Sequence, residues 1–242
     1  MTQPKTKNRN QPGYYPGFST LSQQQYWDEA TRRTVLQRMT HSHELRFFTP
    51  QEIPVITIIF EHVLPQSDRD PAFRIPIVPF VDERLHKGRI DGYRYEGMPP
   101  DQEAYRLGIA AIDEMARSIH GAPFVELSPL QRDQLLKTLH DGKPQAAHST
   151  WERMPVHRFW MLLVQDAAEV YYAHPYAWDE IGFGGPAYPR AYMRLERGEA
   201  EPWEVKEQRY EWEAPADSVS DRFELVGGHD LHTATPGQGG TH

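Results

Sequence analysis

The 242-residue chain contains no cysteine. Disulfides, thiolate zinc sites, iron–sulfur clusters, covalently attached haem and cysteine nucleophiles are thereby excluded together. The compartment stays open, because a cysteine-free protein survives on either side of a membrane. Long apolar runs are missing too: the longest, residues 159–164, is six residues, against the roughly 20 of a spanning helix. No transmembrane segment is expected. Nor is there an excess of positive charge. Lys plus Arg is 26 and Asp plus Glu is 34, a formal net charge of −8, so a nucleic-acid partner is not expected, since clustered cations must neutralise phosphates. Residues 1–11 are polar, without the apolar core of a secretory leader, and no apolar segment follows the pair Arg32-Arg33. The localisation is left unknown: with no leader expected, the sequence reads as cytoplasmic, and as periplasmic only if the chain is carried out with a partner.

What is present is helical patterning. Thr49-Pro50-Gln51-Glu52 reads as a capping box, followed at helical spacing by Ile53, Ile56, Phe60, Val63 and Leu64. Ser128-Pro129-Leu130-Gln131 repeats the device before Leu135, Leu136 and Leu139, with Asp141-Gly142 as the stop. Ser149-Thr150-Trp151-Glu152 reads as a third box. Residues 101–120 place Tyr105, Gly108, Ile109, Ile112, Met115, Ala116 and Ile119 on one face, ending at Gly121. Residues 155–173 form the strongest pattern, with Val156, Phe159, Trp160, Leu163, Val164, Ala167, Val170 and Tyr171 at three- and four-residue steps. Met161 and Leu162 widen its apolar arc, so this helix is expected at the centre, covered on more than one side. Period-two alternation is scarce. The expected fold is mainly α: a compact helical domain over 26–213, an extended arm over 1–25 and a disordered tail over 214–242, both ends being rich in Gly, Ser, Thr, Gln and Pro.

Several motifs invite a chemical reading. Gly182-Phe183-Gly184-Gly185-Pro186-Ala187 has dinucleotide-fingerprint spacing, but that device needs a strand before it and a helix after it. Glu83 and His86 make one copy of the E-x-x-H spacing, where a di-metal bundle needs two. His229 and His232 lie in a Gly/Thr-rich tail. Asp166 and Glu169 offer a carboxylate pair for acid–base work, against the plainer reading of charges on the wet edge of an amphipathic helix. No nucleophile elbow occurs. The expectation is no catalytic, cofactor-binding or metal-ligating residue in this chain.

Aromatic density marks residues 171–195 instead. Seven of the 22 residues from 171 to 192 are aromatic, interleaved with Gly and Pro in what reads as an irregular loop. Such a segment either packs on its own domain or docks on a partner, where Tyr, Trp and Arg are favoured anchors. Charge also segregates: residues 1–46 carry a net +4, and residues 196–224 a net −6 with Trp203, Tyr210 and Trp212 among the acids. The candidate partner-interface residues are Tyr172, His174, Tyr176, Trp178, Phe183, Gly184, Gly185, Tyr188, Arg190, Tyr192, Trp203 and Trp212. The alternative is a stand-alone carbohydrate-binding or carbohydrate-active protein, with Trp178, Asp179, Glu180 and the tyrosines of 174–192 as the sugar site.

The succession Phe47-Phe48-Thr49-Pro50-Gln51-Glu52, Ile75-Pro76 to Asp82, Phe124-Val125-Glu126-Leu127-Ser128-Pro129, and Ala173-His174-Pro175-Tyr176 to Gly184-Gly185-Pro186 resembles the gluconate 2-dehydrogenase subunit 3 family. The resemblance spans about residues 14–213. It implies a small, cofactor-free accessory subunit that supports folding, assembly or export of its partner. That partner would be a large FAD-dependent subunit of the glucose–methanol–choline (GMC) oxidoreductase type, holding the flavin and the catalytic base of a sugar or gluconate dehydrogenase. A cytochrome c or another acceptor would receive the electrons. Many family members carry a twin-arginine export signal, and none is expected here from the sequence.

Overall fold

Eight α-helices account for most of the described part of a computed structural model, which covers residues 19–40, 44–90, 92, 94–181 and 183–186. They are α1 (Glu29–Thr40), α2 (Glu52–Val63), α3 (Ile77–His86), α4 (Asp101–His120), α5 (Pro129–His140), α6 (His148–Arg153), α7 (Val156–Tyr172) and α8 (Pro175–Ile181). Short 3-10 turns at Thr20–Tyr26, Pro71–Phe73 and Phe124–Glu126 connect them, and no strand occurs among the described residues. The fold is all-α, as the patterning implies. Of the N-terminal arm only its inner end is described, and there residues 20–26 form a 3-10 turn. The tail 214–242 lies outside the described residues.

The apolar stripe of α7 explains its place. Phe159, Leu163 and Ala167 are fully buried, and α7 packs against α2, α3, α5 and α8. The Phe159 ring reaches from α7 onto α4 because Gly108 has no side chain: a Cβ there would sit 2.0 Å from the Cζ of Phe159. Tyr105 stacks edge-on against both Phe48 and Phe159, at centroid separations of 5.8 and 6.2 Å.

Helix ends follow local chemistry, with two departures. Ser128 and Gln131 make the full reciprocal capping box of α5, and Gly121, at φ 73°, ends α4 in the left-handed conformation. At α2 only half of the expected box forms: Glu52 Oε2 accepts from the Thr49 N–H and hydroxyl at 2.8 and 2.9 Å, while no side chain caps the helix. The expected third box is absent. Ser149 to Glu152 lie inside α6, which starts after Ala147 at φ 56°, because Trp151 is drawn into the core.

Asp82 pins the chain entering α2 onto α3. Its fully buried carboxylate accepts the backbone N–H groups of Arg46, Phe47 and Phe48 at 2.7, 2.9 and 2.8 Å. In Asp82→Asn one of the two oxygens becomes an amide donor facing an N–H. A loss of about 2 kcal/mol is expected, the cost of one unmade buried hydrogen bond, read as a lower urea midpoint with an unchanged denaturant slope.

Candidate partner-docking face

The corner between α7 and α8 carries most of the described interface candidates. The His174-Pro175 pair builds it: Pro175 sits at the first helical position, where its missing N–H costs nothing, and its fixed φ starts α8. Residues 175–181 are therefore helical, which corrects the expectation of a wholly irregular segment.

Its inner side is fixed by a buried polar lock. The Tyr171 hydroxyl accepts from Arg69 Nη2 and donates to Glu180 Oε2, both at 2.9 Å, and Arg69 is ion-paired with Glu180. Both charged side chains are buried, so removing either partner would strand a charge. Burial raises the Tyr171 pKa and keeps the phenol protonated. His174 is pushed the other way: burial, then the cations Arg69 and Arg38, lower it to about 4. It is neutral at pH 7, with Nδ1 accepting the Tyr176 N–H at 3.3 Å and the ring proton consequently on Nε2. Tyr176 is half-buried between His174 and Phe73, at centroid separations of 4.8 and 5.3 Å.

The outer side is covered by the N-terminal segment. Trp178 is 6% exposed, clustered with Trp27 and Val35, and its Nε1 donates to the Tyr172 carbonyl at 2.6 Å. Arg38 lies 5.9 Å from the Trp178 ring centroid and donates to the Ala173 carbonyl at 2.8 Å. The Thr20 N–H donates to Asp179 Oδ1 at 2.7 Å, and burial raises the Asp179 pKa. Gly185 has φ 81°, and a Cβ on it would lie 2.4 Å from Thr20 Cγ2, so a side chain there strains the backbone and fits only if the Thr20 side chain gives way.

The candidates therefore divide. His174, Trp178 and Gly185 are spent on internal packing, and Tyr176 and Gly184 are half-buried. Tyr172 and Phe183 face solvent at 50% and 48% exposure, and Ile181, unmarked in the sequence reading, joins them at 51%. Large exposed apolar side chains held at one rigid corner suit a partner surface. Tyr188, Arg190, Tyr192, Trp203 and Trp212 lie outside the described residues. As for a sugar site, Trp178 and Glu180 are buried and Asp179 is engaged by Thr20.

A second cluster overturns one expectation. Asp166 is not on a wet edge: it is 4% exposed, accepting from the Tyr105 hydroxyl and Arg84 Nη2, each at 2.5 Å. Arg84 also donates to Asp101 Oδ2 at 2.6 Å, tying α3 to α4 and α7. Burial lifts the Asp166 pKa to about 6 against the opposing pull of Arg84 and Tyr105. The same carboxylates hold Arg84 charged, raising its pKa against its own burial, while burial raises the Tyr105 pKa. The nearby surface cavity of about 380 Å³ is lined by Arg38, Arg84, Arg89, Glu169 and His174 among others, but not by Asp166. This carboxyl ties α3, α4 and α7 together. Glu169 remains exposed, bonded to Gln165 at 2.9 Å.

The glycine motif follows helix α8, not the strand a dinucleotide cradle needs. Among the described residues no group of three or more His, Asp or Glu is placed to hold a metal, and no helix is long and apolar enough to cross a membrane.

A family model described as Gluconate 2-dehydrogenase subunit 3 matches residues 50–185, more than half of the chain and the span from α2 to α8. No curated protein and no solved structure matches.

Proposed function

The chain belongs to the gluconate 2-dehydrogenase subunit 3 family, and from that premise we propose that it is a non-catalytic small subunit. Its role is to bind and stabilise the large FAD-dependent GMC-type subunit of a sugar or gluconate dehydrogenase. The flavin and the redox chemistry belong to that partner, with a cytochrome c or another acceptor taking the electrons. What this chain contributes is surface.

The observation that carries the reading is the α7–α8 corner. Its inner groups are consumed by the Arg69–Tyr171–Glu180 lock and by Trp178 packing, which leaves Tyr172, Ile181 and Phe183 outward on a fixed base. Pre-organised aromatic anchors bind with little ordering cost.

The test is co-expression with a GMC-type flavoprotein from the same genome, purified through a tag on this chain. The two proteins are expected to elute together. Recovery of this chain alone, from cells where that flavoprotein is abundant and soluble, overturns the proposal. In the double variant Tyr172→Ala, Phe183→Ala the Kd is expected to rise by at least about tenfold, as for loss of interface hot spots. Its melting temperature should hardly move, because both side chains are half exposed. Unchanged affinity would remove this corner from the interface.

A further inference from the structure

We propose that residues 19–40 form a strap that opens from α8 while the rest of the helical domain stays folded, and that opening uncovers Trp178 as an anchor for the dehydrogenase subunit. The second half rests on the proposed function; the first does not.

The strap is attached thinly. Of the 12 residues of α1 only Val35 is buried, whereas α4 buries eight of its 20. Trp27, Val35 and Trp178, with Leu21 against them, form an apolar cluster separate from the main core. Among the described residues the polar fasteners to the corner include Thr20 to Asp179, Thr20 to the Phe183 carbonyl at 3.4 Å, and Arg38 to the Ala173 carbonyl. Closure also leaves two buried polar atoms of the strap without a hydrogen bond, Gln23 Oε1 and Trp27 Nε1. An unmade buried hydrogen bond disfavours the closed state, because water would satisfy both groups. A surface cavity of about 440 Å³ runs along the seam between Ala30, Val35 and Arg38 on one side and Trp178, Phe183 and Pro186 on the other. Units with few buried apolar residues open at lower free energy than the global transition.

α8 does not depend on the strap for its place. Ala177 belongs to the main core, and Glu180 is held by Arg69 and Tyr171. When the strap leaves, α8 therefore presents Trp178 beside Phe183, already in edge contact at 5.5 Å. The family match begins at residue 50, beyond the strap. Helix α8 thus lies inside the matched span while its cover lies outside it.

Absence of cysteine makes the test clean. A Cβ on Gly185 would lie 3.8 Å from Thr20 Cβ, about the mean Cβ separation of a disulfide. Thr20→Cys with Gly185→Cys, oxidised, locks the strap, and reduction frees it in the same molecule. In the full-length protein, amides of residues 29–40 are expected to exchange at least about 100-fold faster than those of residues 109–116 in α4. Oxidation of the double-cysteine variant should slow them at least about tenfold. Capture of a GMC-type flavoprotein from the same genome should be at least about tenfold weaker with the oxidised than with the reduced form. Because Cys at Gly185 strains a positive φ, Val35→Asp supplies an independent arm and should speed strap exchange and raise capture. Strap exchange in step with α4 overturns the opening. Equal capture by locked and free forms, or no gain with Val35→Asp, overturns the uncovering of Trp178. Fast strap exchange with no capture by any form overturns the proposed function and upholds the opening.

Discussion

Gly108→Ala is expected to destabilise the protein by about 3 kcal/mol, the upper end of typical overpacking, and to lower the melting temperature by roughly 10 °C for a domain of this size. The sign is the informative part. Helix propensity alone favours Ala over Gly in a helix interior by about 1 kcal/mol, so a position in open space would gain stability. Here the new Cβ would stand 2.0 Å from Cζ and 2.4 Å from both Cε atoms of Phe159, whose ring is itself fully buried. The ring cannot swing away, because Tyr105 and Trp151 border it at centroid separations of 6.2 and 5.9 Å. The helices must part instead. Phe159→Leu should recover much of the loss in the Gly108→Ala background while being costly alone, giving a large favourable coupling in the double-mutant cycle. A melting temperature at or above that of the parent protein would show that α4 and α7 do not meet at this glycine.

The long helices are legible because each is made by one local rule. Residues 101–120 carry a continuous apolar face and a glycine stop, and the helix is Asp101–His120. Residues 155–173 carry the widest apolar arc, and the helix is Val156–Tyr172 at the centre of the packing. Legibility fails where a residue's role is decided by partners distant in sequence. Asp166 reads as a solvated carboxylate beside Gln165 and Glu169, but its partners Tyr105 and Arg84 lie 61 and 82 residues away. One signal was present: Phe159, Leu163 and Asp166 follow at steps of four and three, on one stripe. A carboxylate on the buried stripe of a central helix calls for a buried cation.

The corner illustrates the same limit. Aromatic density drew attention to residues 171–192, and the choice between self-packing and docking stayed open. Contact with residues 20–38 buries Trp178 and Gly185, while Tyr172 and Phe183 stay outward. No pattern within the segment encodes that division, because the covering surface comes from 135 to 159 residues earlier in the chain. α8 itself was readable from Pro175 as a first-turn proline, a signal masked by the glycines that follow.

Asp166 and His174 should give stability two opposed pH dependences that nearly cancel. The Asp166 pKa is raised to about 6 from 3.8 by burial, so the folded chain binds that proton more tightly than the unfolded one. Its contribution is complete below about pH 4 and is lost as pH rises through 6. The His174 pKa is lowered to about 4 from 6.5, by burial and by Arg69 and Arg38, so the folded chain resists that proton. Its contribution is complete above about pH 6.5 and is lost as pH falls through 4. At 1.36 kcal/mol per pKa unit each group is worth about 3 kcal/mol across its window. Between those limits acidification strengthens one site while weakening the other, and the parent protein should vary little on their account. Single substitutions separate them. Asp166→Asn, which keeps an acceptor for Tyr105, should leave a protein that loses about 3 kcal/mol more than the parent on acidification from pH 7 to 4. His174→Asn, which keeps an acceptor for the Tyr176 N–H, should leave one that gains by a similar amount relative to the parent over the same range. Urea midpoints at several pH values for the three proteins provide the check, and contributions from titrating groups not coupled to the substituted site drop out of the differences. Profiles parallel to the parent's in both variants would mean that neither proton is coupled to folding, and that the two groups titrate as they do in water.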